Sequence, residues 1–321
     1  MLANKEAIFS ASRLVQNYIH QTPQICWPLL SNRCGAEVWI KHENHSPIGS
    51  FKLRGGLTYI DGLKRRQPSV SGVITATRGN HGQSVALAAR TFDIRSEVVV
   101  PYGNSLEKNA AMQAFGAKLI EYGRDFDEAM EFAQERARAQ KLNFVPSFDY
   151  DLVAGVGTYT AEFLSAIPDL EVIYVPIGLG SGVCGAISAR EALGSKVDVI
   201  GVVAAEANSY ALSFEAGKAM PTNSANTFAD GLAVRVPDSR ALETILDGVE
   251  RVVTVSEKEI KDAIRYYYTD THNLAEGAGA ASLAAFLQER QNYLGRKVGI
   301  VFSGGNIDLK IFREIVSGDE T

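Results

Sequence analysis

Val172-Ile173-Tyr174-Val175-Pro176-Ile177-Gly178-Leu179-Gly180-Ser181-Gly182 runs from a five-residue apolar strand straight into a glycine loop. The residues that follow, Val183, Cys184 and Gly185, open a helix. An apolar run that passes through glycines into a helix is the βα unit of an open, mostly parallel sheet. Glycines let backbone N–H groups turn inward, and a helix N-terminus adds a favourable partial charge, so the loop suits a phosphate. Its spacing is G-x-G-x-G, neither a Walker A loop nor the G-x-G-x-x-G dinucleotide fingerprint. Taken alone, it reads equally well as a structural glycine turn.

Two further stretches repeat the pattern: Ile74-Thr75-Ala76-Thr77-Arg78-Gly79-Asn80-His81-Gly82 and Val301-Phe302-Ser303-Gly304-Gly305-Asn306. In open α/β sheets ligands bind at the carboxyl ends of strands, so one ligand touched by all three loops is the economical reading. Outward from these loops, Val- and Ile-rich runs predict strands at 37–41, 72–76, 97–100, 118–121, 172–176, 197–203, 251–255 and 298–302. Helical patterns lie between them at 125–140, 257–268 and 280–288. Asp125 is a candidate cap of the first, and Phe126, Met130, Ala133 and Ala137 share one of its faces. The fold class is α/β.

The chain has 321 residues, which sets a prior of two domains, and no low-complexity linker separates them. With 46% hydrophobic and 21% charged residues the composition is that of an ordinary soluble protein. Basic and acidic residues number 32 and 37, with no like-charge block longer than Lys64-Arg65-Arg66. That excludes a nucleic-acid or anionic-membrane footprint. Cys26, Cys34 and Cys184 fit neither a disulfide framework nor a C-x-x-C motif, so a reducing, cytoplasmic location is expected. The N-terminal residues lack a signal-peptide core, and no window approaches the roughly 18 uncharged apolar residues of a membrane helix.

Ser50-Phe51-Lys52-Leu53-Arg54-Gly55-Gly56 supplies the reactive group. A lysine held among apolar neighbours has its ammonium form disfavoured, which is the state Schiff-base chemistry needs. The plain alternative is a surface lysine near a helix start. A phosphate cradle together with such a lysine points to pyridoxal phosphate.

Pro47-Ile48-Gly49-Ser50-Phe51-Lys52-Leu53-Arg54-Gly55, Arg78-Gly79-Asn80-His81-Gly82-Gln83, the glycine loop and Ser303-Gly304-Gly305-Asn306 together carry a resemblance. In order and approximate spacing they resemble the threonine dehydratase and serine racemase branch of fold-type II pyridoxal-phosphate enzymes, over nearly the whole chain. The resemblance implies two interleaved open-sheet α/β domains with the cofactor in the cleft. Residues 1–50 and 149–321 would form the large domain and residues 51–148 a small mobile one. It implies Lys52 as the Schiff-base lysine, Phe51 against the cofactor ring and Asn80 on the ring 3-oxygen. Gly178, Leu179, Gly180, Ser181 and Gly182 would hold the phosphate, with Leu179 and Ser181 standing where the family usually has glycine. Ser303 would face the pyridine nitrogen, unless it is merely a turn serine. A neutral hydroxyl there makes a weaker electron sink than an aspartate and favours elimination. The substrate carboxylate would rest on the turn formed by Thr77, Arg78, Gly79, Asn80 and His81.

The implied activity is dehydration and deamination of a 3-hydroxy amino acid such as L-threonine or L-serine to a 2-oxo acid and ammonia. Lys52 would remove the α-proton, and the cofactor phosphate would protonate the leaving hydroxyl. The alternatives are 3-hydroxyaspartate or phenylserine as substrate, serine racemisation, and a non-catalytic amino-acid-binding protein of this fold. Leu53 and His81 depart from the cysteine-synthase branch. Arg78 stands where serine racemase has its opposite-face serine base, and a guanidinium cannot act as that base, so racemisation should be poor. Arg78 is left to solvent or to a second acidic group on the substrate. Asp230-Gly231 and Glu276 also match family patterns, Glu276 either as a carboxylate behind the cofactor or as a helix-start acid favoured by the macrodipole. His81 reads as a structural turn residue. His42 and His45 do not make a metal site by spacing alone. Val203 and Ser209 fall on the positions of the family's cation ligands, with Glu206 between them, and no metal is expected. A homodimer without an added regulatory domain or isoleucine feedback completes the expectation.

Overall fold

The apolar runs become strands in a computed structural model that describes residues 3–318. Residues 1, 2 and 319–321, at the ends of the expected large domain, lie outside the described residues. The strands are β1 (Gln24–Cys26), β2 (Glu37–His42), β3 (Gly72–Ala76), β4 (Arg95–Val100), β5 (Lys118–Glu121), β6 (Asn143–Phe144), β7 (Val172–Pro176), β8 (Asp198–Ala204), β9 (Arg251–Val255) and β10 (Lys297–Phe302). One six-stranded sheet has the order β1-β2-β10-β7-β8-β9, and a four-stranded sheet the order β5-β4-β3-β6. Every pairing is parallel except β1 with β2. The α/β class with two open sheets is therefore what the structure shows. The chain enters the larger sheet, crosses to the smaller one for β3 to β6, and returns.

Each strand read from the sequence is present, with ends shifted by at most two residues. All five residues of β3 and of β7 are buried, because helices cover both faces of their sheets and leave no alternation of polar positions. The strands that the sequence did not reveal, β1 and β6, are three and two residues long, too short to carry a period.

The helix Phe126–Gln140 shows why the helical patterns were legible. The Asp125 carboxylate accepts from the Glu128 N–H at 3.0 Å, a cap worth about 1 kcal/mol. Ala129, Ala133 and Ala137 are buried against Ile74, Ala76 and Val99 of the small sheet, while Phe126 and Met130 pack at the margin. Lys141, in a left-handed conformation at φ 53°, ends it.

One helix, Tyr150–Ala166, sets the distance between the chemical elements. Gly155 lies so close to the helix Lys52–Arg66 that a Cβ there would stand 2.3 Å from the Arg54 carbonyl. Gly157 meets Gly185 of the helix Ser181–Leu193, where a Cβ would stand 2.9 Å from the Gly185 carbonyl. These two close approaches bring Lys52 and Ser181 together across 129 positions of sequence.

Beneath Lys52 the packing is ionic. Arg54 and Glu43 are fully buried; Arg54 Nε and Nη2 meet Glu43 at 2.8 and 3.1 Å, and Nη1 and Nη2 meet Glu162 at 2.7 and 2.9 Å. Lys41 Nζ adds a 2.7 Å bond to Glu162, and the Thr22 hydroxyl a 2.6 Å bond to Glu43. Two cations and two anions cancel, and their hydrogen bonds are the condition for burying them. This cluster fixes the first turn of the Lys52 helix to β2 and to the helix Tyr150–Ala166. Among the described residues no helix is long and apolar enough to cross a membrane.

Candidate active site

β10 pairs with β7, so the loops that leave their carboxyl ends, 303–306 and 177–182, are neighbours. The 77–81 turn leaves β3 of the other sheet and faces them. Lys52 Nζ lies 3.1 Å from Ser181 Oγ, at the first residue of the glycine-loop helix. That helix has no side-chain cap, and its N-cap, Gly180, has φ +101°. A Cβ on Gly180 would stand 2.6 Å from Ala241, and one on Gly178 would stand 2.3 Å from the Gly231 carbonyl, so only glycine fits this cradle. Uncapped N–H groups at a helix N-terminus beside a lysine form an anion site. Leu179 takes part through its backbone: its carbonyl accepts from Tyr210 at 3.1 Å.

Phe51 precedes the lysine, with its ring centroid 4.9 Å from Lys52 Nζ. A Cβ on Gly182 would meet that ring at 3.7 Å, and Tyr159 packs edge-on to it at 6.0 Å. Lys52 is partly accessible to solvent but hemmed in by protein, and this burial pushes its ammonium down to about 8 against the opposing charge of Glu276.

Ser303 is 2% exposed. Its carbonyl accepts from the Phe51 N–H at 3.1 Å, and Ser50 bridges Gly304. The 303–306 loop thus braces the strap that carries Lys52.

Asn80 opens the helix Asn80–Thr91, which has no side-chain cap. Its Nδ2 donates to Glu276 Oε1 at 2.7 Å, and its Oδ1 accepts from Asn306 Nδ2 at 2.7 Å. Glu276 is indeed the N-cap residue of a helix, Gly277–Glu289, but makes no side-chain cap bond there. Burial pushes its carboxyl up to about 7, opposed by Lys108 and by the Asn80 hydrogen bond. The turn itself is less open than the sequence suggested: the Gly79 N–H is taken by the Thr77 hydroxyl at 3.0 Å. His81 is 7% exposed, with Nε2 unpartnered, and burial together with Lys52 lowers it to about 3, so the ring is neutral. Arg78 projects outward; its side chain is 53% exposed and 3.7 Å from Asp230.

Sequence reasoning missed Lys108, whose Nζ bonds Asp230 at 3.0 Å beside the turn, and the linking role of Asn306. No local pattern signals either, because both contacts join distant segments. His42 accepts from the Trp27 indole at 2.9 Å and pairs with Asn44, a structural arrangement. A surface pocket of about 410 Å³ bounded by Pro168, Glu171, Lys196 and Arg296 lies at the amino ends of β7, β8 and β10, the wrong end of the sheet for these loops.

The sequence model described as pyridoxal-phosphate dependent enzyme matches residues 15–304. The chain belongs to this family. The L-threonine ammonia-lyase of Thermotoga maritima is 37% identical over 313 residues, covering 97% of this chain and 78% of the relative. The L-threo-3-hydroxyaspartate ammonia-lyase of Saccharomyces cerevisiae is 29% identical, covering 98% and 96%. The processed form of threonine deaminase isoform 2 from Solanum lycopersicum superposes with a TM-score of 0.92 at 27% identity, covering 99% of this chain and 95% of that one. The fold is thus the fold-type II architecture, and the cofactor is pyridoxal 5'-phosphate. The residues present fit it: a glycine cradle with uncapped N–H groups and, beside it, a lysine with depressed basicity.

Proposed function

We propose that the protein is an ammonia-lyase that eliminates the β-hydroxyl of a 3-hydroxy amino acid such as L-threonine or L-serine, yielding a 2-oxo acid and ammonia. The observation that carries this reading is Lys52 Nζ, depressed to about 8, at the N-terminus of the glycine-loop helix. Similarity to the Thermotoga maritima L-threonine ammonia-lyase over 97% of the chain supports it. When bound, pyridoxal phosphate acidifies the substrate α-C–H bond by drawing its electrons into the ring.

The chain's own residues supply the rest. The N–H groups of 178–182 and the Ser181 hydroxyl bind the phosphate. Lys52 would hold the cofactor and, as a free amine, would take the α-proton on Nζ, a task suited to an amine that is half neutral near pH 8. Phe51 excludes water from one side of Nζ. Asn80 would offer an N–H to the ring 3-oxygen. Ser303 would offer the ring nitrogen a hydroxyl and no carboxylate, a weaker electron sink that favours loss of the β-substituent. The N–H groups of Asn80 and His81, at the start of a helix with no side-chain cap, would hold the substrate carboxylate, with Thr77, Arg78 and Gly79 shaping the turn.

The same reading divides the chain into a large domain of 1–50 and 149–321 and a small domain of 51–148 that closes on substrate. The two-sheet topology supports that division. It also places the protein in the cytoplasm, supported by three unpaired cysteines, as a homodimer, the commonest closed assembly.

The test is a panel of threonine, serine, 3-hydroxyaspartate and phenylserine, with 2-oxo acid and ammonia measured for each. Stoichiometric release of both from at least one substrate is expected. Release from none, in protein loaded with coenzyme, contradicts the reading.

A further inference from the structure

Asn306 Nδ2 donates to two oxygens: the Ile48 carbonyl at 2.8 Å and Asn80 Oδ1 at 2.7 Å. A backbone carbonyl only accepts, so the first bond fixes which end of the Asn306 amide carries nitrogen. The second bond then fixes Asn80, oxygen toward Asn306 and nitrogen toward Glu276 Oε1 at 2.7 Å. An amide nitrogen carries two hydrogens, and Glu276 takes one of them. The group left open at the nitrogen end of Asn80 is therefore an N–H donor.

The three residues come from different parts of the fold. Asn80 follows β3 of the four-stranded sheet, whereas Glu276 and Asn306 flank the helix Gly277–Glu289 and β10 of the six-stranded one. Ile48 belongs to the strap that leads into Lys52. Asn306 packs tightly on that strap: a Cβ on Gly49, at φ +68°, would stand 2.6 Å from Asn306 Oδ1. The Asn306 amide thus joins the lysine strap to the helix start that carries Asn80.

We infer that Asn306 is a positioning residue that, referenced to the Ile48 carbonyl and backed by Glu276, turns the Asn80 amide so that an N–H faces the cofactor 3-oxygen. Because the bonds span the two sheets, the donor is correctly set only when the two parts of the molecule meet. The inference rests on the reading that Asn80 faces that oxygen. An ionised ring oxygen favours a donor, and an amide oxygen turned toward it would repel it.

The test titrates apo-protein with pyridoxal phosphate and reads the dissociation constant and the pH midpoint of the visible absorbance. Asn306→Asp keeps the size but sets an oxygen against both Ile48 O and Asn80 Oδ1, which forces the Asn80 amide to turn. Asn306→Ala removes the donor and leaves Asn80 free. Asn306→Asp is expected to weaken coenzyme binding roughly 10- to 100-fold and to raise the absorbance midpoint, with Asn306→Ala milder. A packing role predicts the reverse order, so Ala equal to or worse than Asp overturns the inference. Should thermal melts show that the Asp variant does not fold, Asn306→Ser is used: its hydroxyl donates, so binding between Ala and wild type is expected, and Ser no better than Ala overturns. Asn80→Ala separates the two levels. If it binds coenzyme like wild type, the reading of Asn80 falls and the inference with it; if it weakens binding and Asn306→Asp does not, the inference alone falls.

Discussion

Lys108 Nζ lies 3.0 Å from Asp230 Oδ2, tying the helix Leu106–Ala114 to the turn Asp230–Leu232 across the mouth of the cleft. Burial works against the Lys108 ammonium, but Asp230 and Glu276 outweigh it and hold its basicity above the usual value. Asp230 is therefore neutralised before Arg78 reaches it, and Arg78 comes no closer than 3.7 Å. Arg78, with its side chain 53% exposed, is the cation that faces outward at the mouth beside the 77–81 turn.

A substrate with a second carboxylate meets that charge. Arg78→Ala is expected to raise KM for 3-hydroxyaspartate by roughly 10- to 100-fold, the worth of a charge-assisted hydrogen bond. For threonine, which has no second carboxylate, the change should stay within about threefold, as for an exposed ion pair. Steady-state kinetics on both substrates check this. Equal effects on both would return Arg78 to the solvent.

Arg78 also bears on stereochemistry. A guanidinium holds its proton at any working pH, so no base stands at that position on the opposite face. Interconversion of serine enantiomers should run at least about 100-fold slower than deamination, the contribution of a general base. Chiral chromatography of the serine remaining after partial turnover measures it, and comparable rates would refute the assignment.

The pH dependence of coenzyme uptake follows from Lys52. Only the neutral amine attacks an aldehyde, so uptake by apo-protein should rise roughly tenfold per pH unit and level off above about 8. Glu276, ionised above about 7, raises the lysine. Glu276→Gln removes that charge and should move the plateau to lower pH. Stopped-flow absorbance across the range checks it, and a shift to higher pH would show that the two groups do not interact as described.

Much of the candidate site is legible in the sequence. Lys52, Asn80, the 178–182 loop and Ser303 each sit in a contiguous stretch where glycines follow an apolar run, and local patterns of that kind survive in sequence. Lys108, Asn306 and the Arg54 cluster were not legible as working parts. Their partners lie 122, 226 and 108 positions away, and nothing in the residues around Lys108 or Glu162 announces such a partner. The bond from the Gly79 N–H to Thr77 was not legible for a related reason, since whether Thr77 turns its hydroxyl back onto the chain depends on the turn's conformation.

The ionic cluster under the lysine carries a stability prediction. Arg54→Ala leaves Glu43 in the interior with no cation and Glu162 with Lys41 alone, which should cost about 3–5 kcal/mol of unfolding free energy. Urea denaturation of the apo-protein measures it. A loss below about 1 kcal/mol would mean that water reaches those carboxylates.

The central claim is that Lys52, and no other lysine, bonds the coenzyme. Holoenzyme reduced with borohydride and digested should yield a pyridoxyl adduct on the peptide containing Lys52. An adduct confined to Lys108, Lys41 or any other lysine, or no adduct in protein saturated with coenzyme, would contradict it.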